Sequence, residues 1–154
     1  MKKLFASFGY ALRGVIFTVK NERNMRIHIS FALLVVFFGF VCKISRTEWL
    51  ALLLFISGVL SAEAHNTAAE LTLDRISTEH SELTRHAKDS AAGAVLIKAV
   101  ISAVGGGLIF FREARVKLAL EFFERNLFAV PIFAIVALLL LIFIILPKKE
   151  RKKK

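Results

Sequence analysis

The sequence predicts an all-α integral membrane protein: an N-terminal amphipathic surface helix, a core of three membrane spans, and an appended fourth transmembrane helix. Three observations predict it. The 154 residues are 56% apolar, with a mean hydropathy of +0.64. Yet 22 Lys+Arg against 12 Asp+Glu leave a net charge of +10, so charge and apolar surface must be segregated along the chain. Three apolar stretches approach or reach the roughly 20 residues that a helix needs to cross a bilayer, and a fourth is shorter. A disordered chain is excluded because it would be poor in apolar residues. A disulfide scaffold is excluded because Cys42 is alone. Excess positive charge fits either nucleic acid or a membrane surface. The hydropathy decides for the lipid bilayer, and no nucleic-acid partner is expected.

The first element occupies residues 1–24. Leu4, Phe8, Ala11, Leu12, Val15 and Val19 recur at helical spacing, with Lys3, Arg13 and Lys20 elsewhere around the helix. That pattern suits a helix lying in the headgroup region. A signal peptide is not expected, because Arg13 interrupts the apolar run and no small-residue cleavage site follows. The three-span core covers residues 25–111. Its first span is Ile27 to Val41, wholly apolar from Phe31. Its second begins with Trp49 to Ser61 and runs on without a breaker into a polar segment. Its third is Ala91 to Phe111, with Lys98 as the one charge. Gly105-Gly106-Gly107 lies deep in that span and lacks the Lys-Ser/Thr of a phosphate loop, so it reads as close helix packing. Residues 112–125 form an extracytoplasmic connector. Residues 126–154 supply the fourth span, Leu127 to Leu146 without a charge, and a basic cytoplasmic tail.

Orientation follows from the Lys/Arg bias of the connections. With both termini and the 73–90 loop cytoplasmic, 15 of the 22 basic residues lie inside. Against this stands the connector, which places Arg112, Arg115, Lys117 and Arg125 outside.

The polar continuation of the second span carries the chemistry. On a helix, Glu63, Asn66, Glu70 and Asp74 fall at about 0°, 300°, 340° and 20°, a single narrow face about 16 Å long. An isolated carboxylate at the bilayer centre costs about 2.5–3.5 kcal/mol on insertion scales. A solvated face past the membrane explains Asp74 but not Glu63. Facing carboxylates invite a cation, and magnesium takes one or two carboxylates together with substrate phosphates. Two further clusters face the same boundary. Lys20-Asn21-Glu22-Arg23-Asn24 contains an i, i+4 pair of Glu22 with Arg26, which on spacing alone is a solvated helix end. Ala87-Lys88-Asp89-Ser90 opens the third span, where a lone Lys would snorkel to the headgroups. Together these clusters hold the parts of a phosphoryl-transfer site: metal ligands, a cation for phosphates, and a base for an acceptor hydroxyl. A zinc site on His28, His65, His80 and His86 is not expected, since their spacings fit no ligand pattern.

Glu63-x-x-Asn66-Thr67-Ala68-x-Glu70-x-x-x-Asp74, followed by Ala87-Lys88-Asp89-x-Ala91-x-x-Ala94-Val95-Leu96, resembles the signature of the small bacterial membrane lipid kinases. These are the prokaryotic diacylglycerol and undecaprenol kinases. Asn21-Glu22-x-Asn24-x-Arg26-Ile27-His28 is similar to the form of the N-terminal motif common in the undecaprenol kinase branch. The resemblance spans about residues 8–111. It implies a homotrimer with active sites between subunits, located in the inner membrane, and ATP and Mg2+ as co-substrates for phosphorylating a lipid alcohol. Carried over by position, it implies Glu63 as general base and Glu22 and Glu70 as metal and nucleotide ligands. It further implies Lys88 and Asp89 as a nucleotide-binding pair, Asn66 and Asp74 as supporting polar residues, and Tyr10 as a nucleotide contact. The chain departs from the family pattern at His65, Ala68, His80-Ser81 and Lys98, and in everything after Phe111. His65, at about 200° from Glu63, is expected to face away from the site. Two other classes remain open to the sequence. One is a four-span proton-coupled transporter using Glu63, which gives no reason for Glu70, Asp74, Lys88 and Asp89. The other is a silent adaptor whose basic tail holds anionic lipid.

Overall fold

A computed structural model describes residues 2–76 and 81–145, with side chains from Leu4 onward. The described residues form six helices and no strand: α1 (Lys2–Asn21), α2 (Arg23–Val41), α3 (Arg46–Ile76), α4 (Glu82–Phe110), α5 (Glu113–Arg125) and α6 (Ala129–Ile145). The basic tail Lys148–Lys154 and His80 of the His80-Ser81 departure lie outside the described residues.

The chain is a membrane protein in which α2, α3 and α4 are each long and apolar enough to cross a bilayer. As the lack of Gly and Pro between Ser61 and Asp74 required, α3 continues unbroken to Ile76. Its 31 residues reach about 46 Å, well beyond a hydrocarbon core of about 30 Å, so its polar end projects past the apolar band. Its partner α4 starts at Glu82, with Ser81 as N-cap accepting from the Thr84 N–H at 3.1 Å. The most extensive packing in the molecule is α3 on α4. Gly105 of α4 is needed there, because a Cβ at that position would overlap the Phe55 ring of α3. Gly39 of α2 makes the same allowance for Trp49, whose ring would lie 2.7 Å from an added Cβ.

The N-terminal helix ends at Asn21, and Glu22 forms an extended elbow (φ −108°, ψ 121°) leading into α2. Arg26 holds that elbow. It is buried, and its Nη1 donates to the carbonyls of Val19 and Lys20 at 3.2 Å each. Cations are favoured at a helix C-terminus, where carbonyls lack intrahelical partners. The solvated end expected from spacing alone is therefore corrected for Arg26, whose charge serves as a C-terminal cap of α1.

The connector is the other correction. Residues 113–125 form a helix, α5, rather than a loop. Arg115, Leu118, Ala119, Phe122 and Phe123 are its half-buried positions, the i, i+3, i+4 stripe of an amphipathic helix. At the opposite end of α3 from the polar face, Ser45 and Glu48 form a reciprocal capping box. Glu48 accepts from the Ser45 N–H at 2.8 Å and from its hydroxyl at 2.7 Å. The same carboxylate binds Arg115 at 2.7 Å and Arg112 at 3.4 Å. Lys117 pairs with Glu113 and Arg125 with Glu121, so all four basic residues that weighed against the orientation have acidic partners. The chain then bends by 108° into α6, whose 17 residues sit at the short end of spanning lengths. Phe133 of α6 packs among Phe37, Phe38 and Phe123 at centroid distances of 5.6–5.8 Å.

Candidate active site

The unbroken passage of α3 out of the apolar band determines where the acidic residues sit. Glu63 is 2% exposed, and Asn66 and Thr67 are buried beside it on the helix. Thr67 donates its hydroxyl back to the Glu63 carbonyl at 3.0 Å. One turn on, the Asn66 side-chain N–H donates to Glu70 at 3.1 Å. That bond fixes the amide orientation and leaves its Oδ1 buried with no hydrogen-bond partner among the described residues. The charges of Glu70 and of Glu22, from the α1–α2 elbow, both bear on Glu63. Two distant parts of the sequence thus place a carboxylate each within electrostatic reach of Glu63.

A second group lies further along the same face. Lys88 near the start of α4 donates to Asp74 of α3 at 2.6 Å, both side chains being partly exposed. Asp89 is exposed on α4 next to it. Tyr10 is exposed on α1, with the Arg13 guanidinium 4.7 Å above its ring. The expected residues therefore divide into a cluster of buried Glu63 and Asn66 with half-buried Glu22 and Glu70, an outer ion pair (Asp74, Lys88), and two exposed positions, Tyr10 and Asp89. His65 is exposed and bonds to the Ser61 carbonyl at 2.8 Å, away from the cluster as its angle predicted.

Next to the buried cluster, on the Glu48 side of Glu63, an apolar cavity of about 340 Å³ opens between α2, α3 and α4. Phe31, Val35, Phe55 and Ile56 are among its walls, and His28 and Ser102 are its polar members. Sequence reasoning missed this space, because a cavity between three helices leaves no local pattern, and so gave His28 a place in the N-terminal motif without a cavity to face.

Among the described residues no three acidic, His or Cys side chains converge closely enough to hold a metal ion by themselves. The donors present are nonetheless hard oxygens, two carboxylates and the unpartnered Asn66 amide oxygen. That set fits magnesium, which is bound by few protein ligands together with substrate phosphates.

Residues 9–110 match the prokaryotic diacylglycerol kinase family. The chain belongs to that family. An undecaprenol kinase of Bacillus subtilis is 44% identical over 110 residues, covering 71% of this chain and 89% of that protein. A diacylglycerol kinase of Haemophilus influenzae is 31% identical over 70% of this chain and 92% of its own length. Another diacylglycerol kinase, from Synechocystis, is 34% identical over 69% of this chain and 61% of its own length. No solved structure matches. Membership makes the protein a lipid kinase and leaves the proton-coupled transporter unfavoured. The match ends at the C-terminus of α4, so α5 and α6 lie beyond this kinase's family core.

Proposed function

We propose that this kinase transfers the γ-phosphoryl group of ATP to the hydroxyl of a membrane lipid, undecaprenol or diacylglycerol, at the cytoplasmic face of the inner membrane. Both termini are cytoplasmic, α1 lies in the headgroup layer, α6 is a fourth crossing, and the active unit is a homotrimer. The observation that carries the chemistry is the buried Glu63, on which the charges of Glu22 and Glu70 converge. Burial of an acid among apolar neighbours is costly. A base that must meet a lipid hydroxyl away from water is a reason to bear that cost.

The lipid enters sideways from the bilayer, its chain in the apolar cavity and its hydroxyl near Glu63. ATP approaches from the polar end of α3. Glu63 accepts the hydroxyl proton as the oxygen bonds to the γ-phosphorus, and the bond to the bridging oxygen of ADP breaks. Lys88 exchanges Asp74 for a phosphate oxygen, and Asp89 and Tyr10 bound the nucleotide. Glu22 and Glu70 would hold Mg2+, with the Asn66 oxygen beside them. When bound, the ion neutralises phosphate charge. The residues themselves chiefly position the reactants and exclude water.

The test is purified protein in mixed micelles with labelled ATP and magnesium, offered each lipid in turn. Replacing Glu63 by Gln is expected to lower turnover by about 10²–10⁴-fold, the usual worth of a general base, while ATP binding is retained. Unchanged turnover overturns the assignment.

A further inference from the structure

His28 lines the apolar cavity at the end nearest the catalytic cluster. It lies two residues beyond the elbow-holding Arg26 and shares the cavity rim with Leu60, one turn before Glu63. Its ring is half-buried and has no hydrogen bond to any described residue. The other polar lining residue is already engaged, since the Ser102 hydroxyl donates to the Lys98 carbonyl at 2.7 Å. The cavity therefore offers one free hydrogen-bonding side chain among apolar walls.

We infer that His28 is a substrate-binding residue that holds the hydroxyl oxygen of the lipid, and that its cavity, with no other free donor, takes a long isoprenoid alcohol with a single polar group in preference to a diacylglycerol. The inference rests on the lipid-kinase reading above and adds the substrate class to it. An alcohol oxygen has one proton and two lone pairs. Glu63 takes the proton, a ring N–H of His28 donates to one lone pair, and the other lone pair is left to attack. A diacylglycerol brings two ester carbonyls into the same space. With His28 committed to the hydroxyl, the cavity has no further donor for them, and an acceptor moved out of water without a partner is costly. A polyprenol has nothing polar beyond its hydroxyl, so one donor satisfies it.

The experiment compares wild type, His28→Leu and His28→Gln in mixed micelles, with undecaprenol and dioleoylglycerol as alternative acceptors and ATP varied separately. The expected result is that His28→Leu lowers kcat/KM for undecaprenol by about two- to tenfold, the worth of one hydrogen bond. It lowers kcat/KM for dioleoylglycerol by a similar factor and leaves the KM for ATP unchanged, because both lipids present a hydroxyl to the same donor. His28→Gln, which keeps a donor, recovers most of both values. An unchanged kcat/KM for undecaprenol in His28→Leu overturns the role of His28 while the kinase reading stands, and a wild-type preference for dioleoylglycerol overturns the selectivity assigned to the cavity. Losses that come with a raised KM for ATP and are not recovered in His28→Gln overturn the role in favour of a purely structural residue. Wild-type protein that phosphorylates neither lipid overturns the reading beneath it.

Discussion

The appended helices meet the family core through aromatic packing on α2 and through one carboxylate, Glu48, at which the polar part of that attachment is best tested. Its side chain is 17% exposed and that of Arg115 is 13% exposed, with 2.7 Å between them. An exposed pair is worth at most about 1 kcal/mol. Removing one partner of a fully buried pair costs about 3–5 kcal/mol, because the other charge is left uncompensated. This pair lies between those limits. The second guanidinium nitrogen, Arg115 Nη1, is buried with no other partner among the described residues. Glu48→Ala also breaks the capping box with Ser45. The expected result is an unfolding midpoint clearly below wild type for Glu48→Ala. Arg115→Leu in that background is expected to restore part of it, since an apolar side chain fills the site without a charge to solvate. The double-mutant cycle should show a favourable coupling between the two residues. Thermal unfolding in detergent micelles, with proteolysis after Lys117 as a local probe, reads both quantities. Lipid-kinase turnover should hold, because Glu48 stands fifteen residues, about 22 Å, from Glu63 along α3. A coupling below about 0.5 kcal/mol would reduce the cluster to an ordinary surface pair and refute the proposed anchoring.

Three further outcomes are expected. Glu22→Gln and Glu70→Gln should each raise the magnesium concentration for half-maximal activity by about tenfold or more, without changing thermal stability. Equal magnesium curves would remove both residues from the metal site. Lys88→Met should raise the KM for ATP by about tenfold, the scale of one charge-assisted hydrogen bond. It should alter the unfolding midpoint little, because its resting pair with Asp74 is 39% and 50% exposed. Gly105→Ala should destabilise the α3–α4 pair by about 1–3 kcal/mol through overlap with the Phe55 ring. Phe55→Leu should relieve part of that cost, and an unfolding midpoint equal to wild type in Gly105→Ala would show that the helices separate freely there.

What could be read from the sequence was whatever helical periodicity encodes. Glu63, Asn66 and Glu70 share a face because an unbroken helix must place them so, and the structure buries the first two and bonds the third to Asn66. His65 points elsewhere for the same reason. Contacts between helices were legible only in part. Glu22 joins the cluster through the elbow, and the helix-capping role of Arg26 depends on where α1 ends, which spacing within α2 does not contain. The cavity that exposes His28 needs three helices at once. Two features were legible and went unread. Ser45-x-x-Glu48 is a capping-box pattern, and Arg115, Leu118, Ala119, Phe122 and Phe123 carry the amphipathic stripe that makes α5 a helix.

Those two features bear on the proposed orientation, in which the basic connector lies on the outer side. Four uncompensated bases on the outer side would oppose the cytoplasmic preference of Lys and Arg. On α5, however, Lys117 and Arg125 have acidic partners within the helix, and Arg112 and Arg115 meet Glu48 from the core. The connector is therefore nearly neutral as a folded unit and is tied to the end of α3 remote from Glu63. With α6 turned by 108° and packed through Phe133 on Phe37 and Phe38 of α2, the chain has a route back toward the end of the bundle that carries the active-site cluster. Replacing Glu48 by Lys would reverse the sign of this arrangement. It should expose α5 to protease from the outer side while leaving the Asp74–Lys88 end unchanged. Cleavage from the cytoplasmic side instead would require the whole orientation to be redrawn.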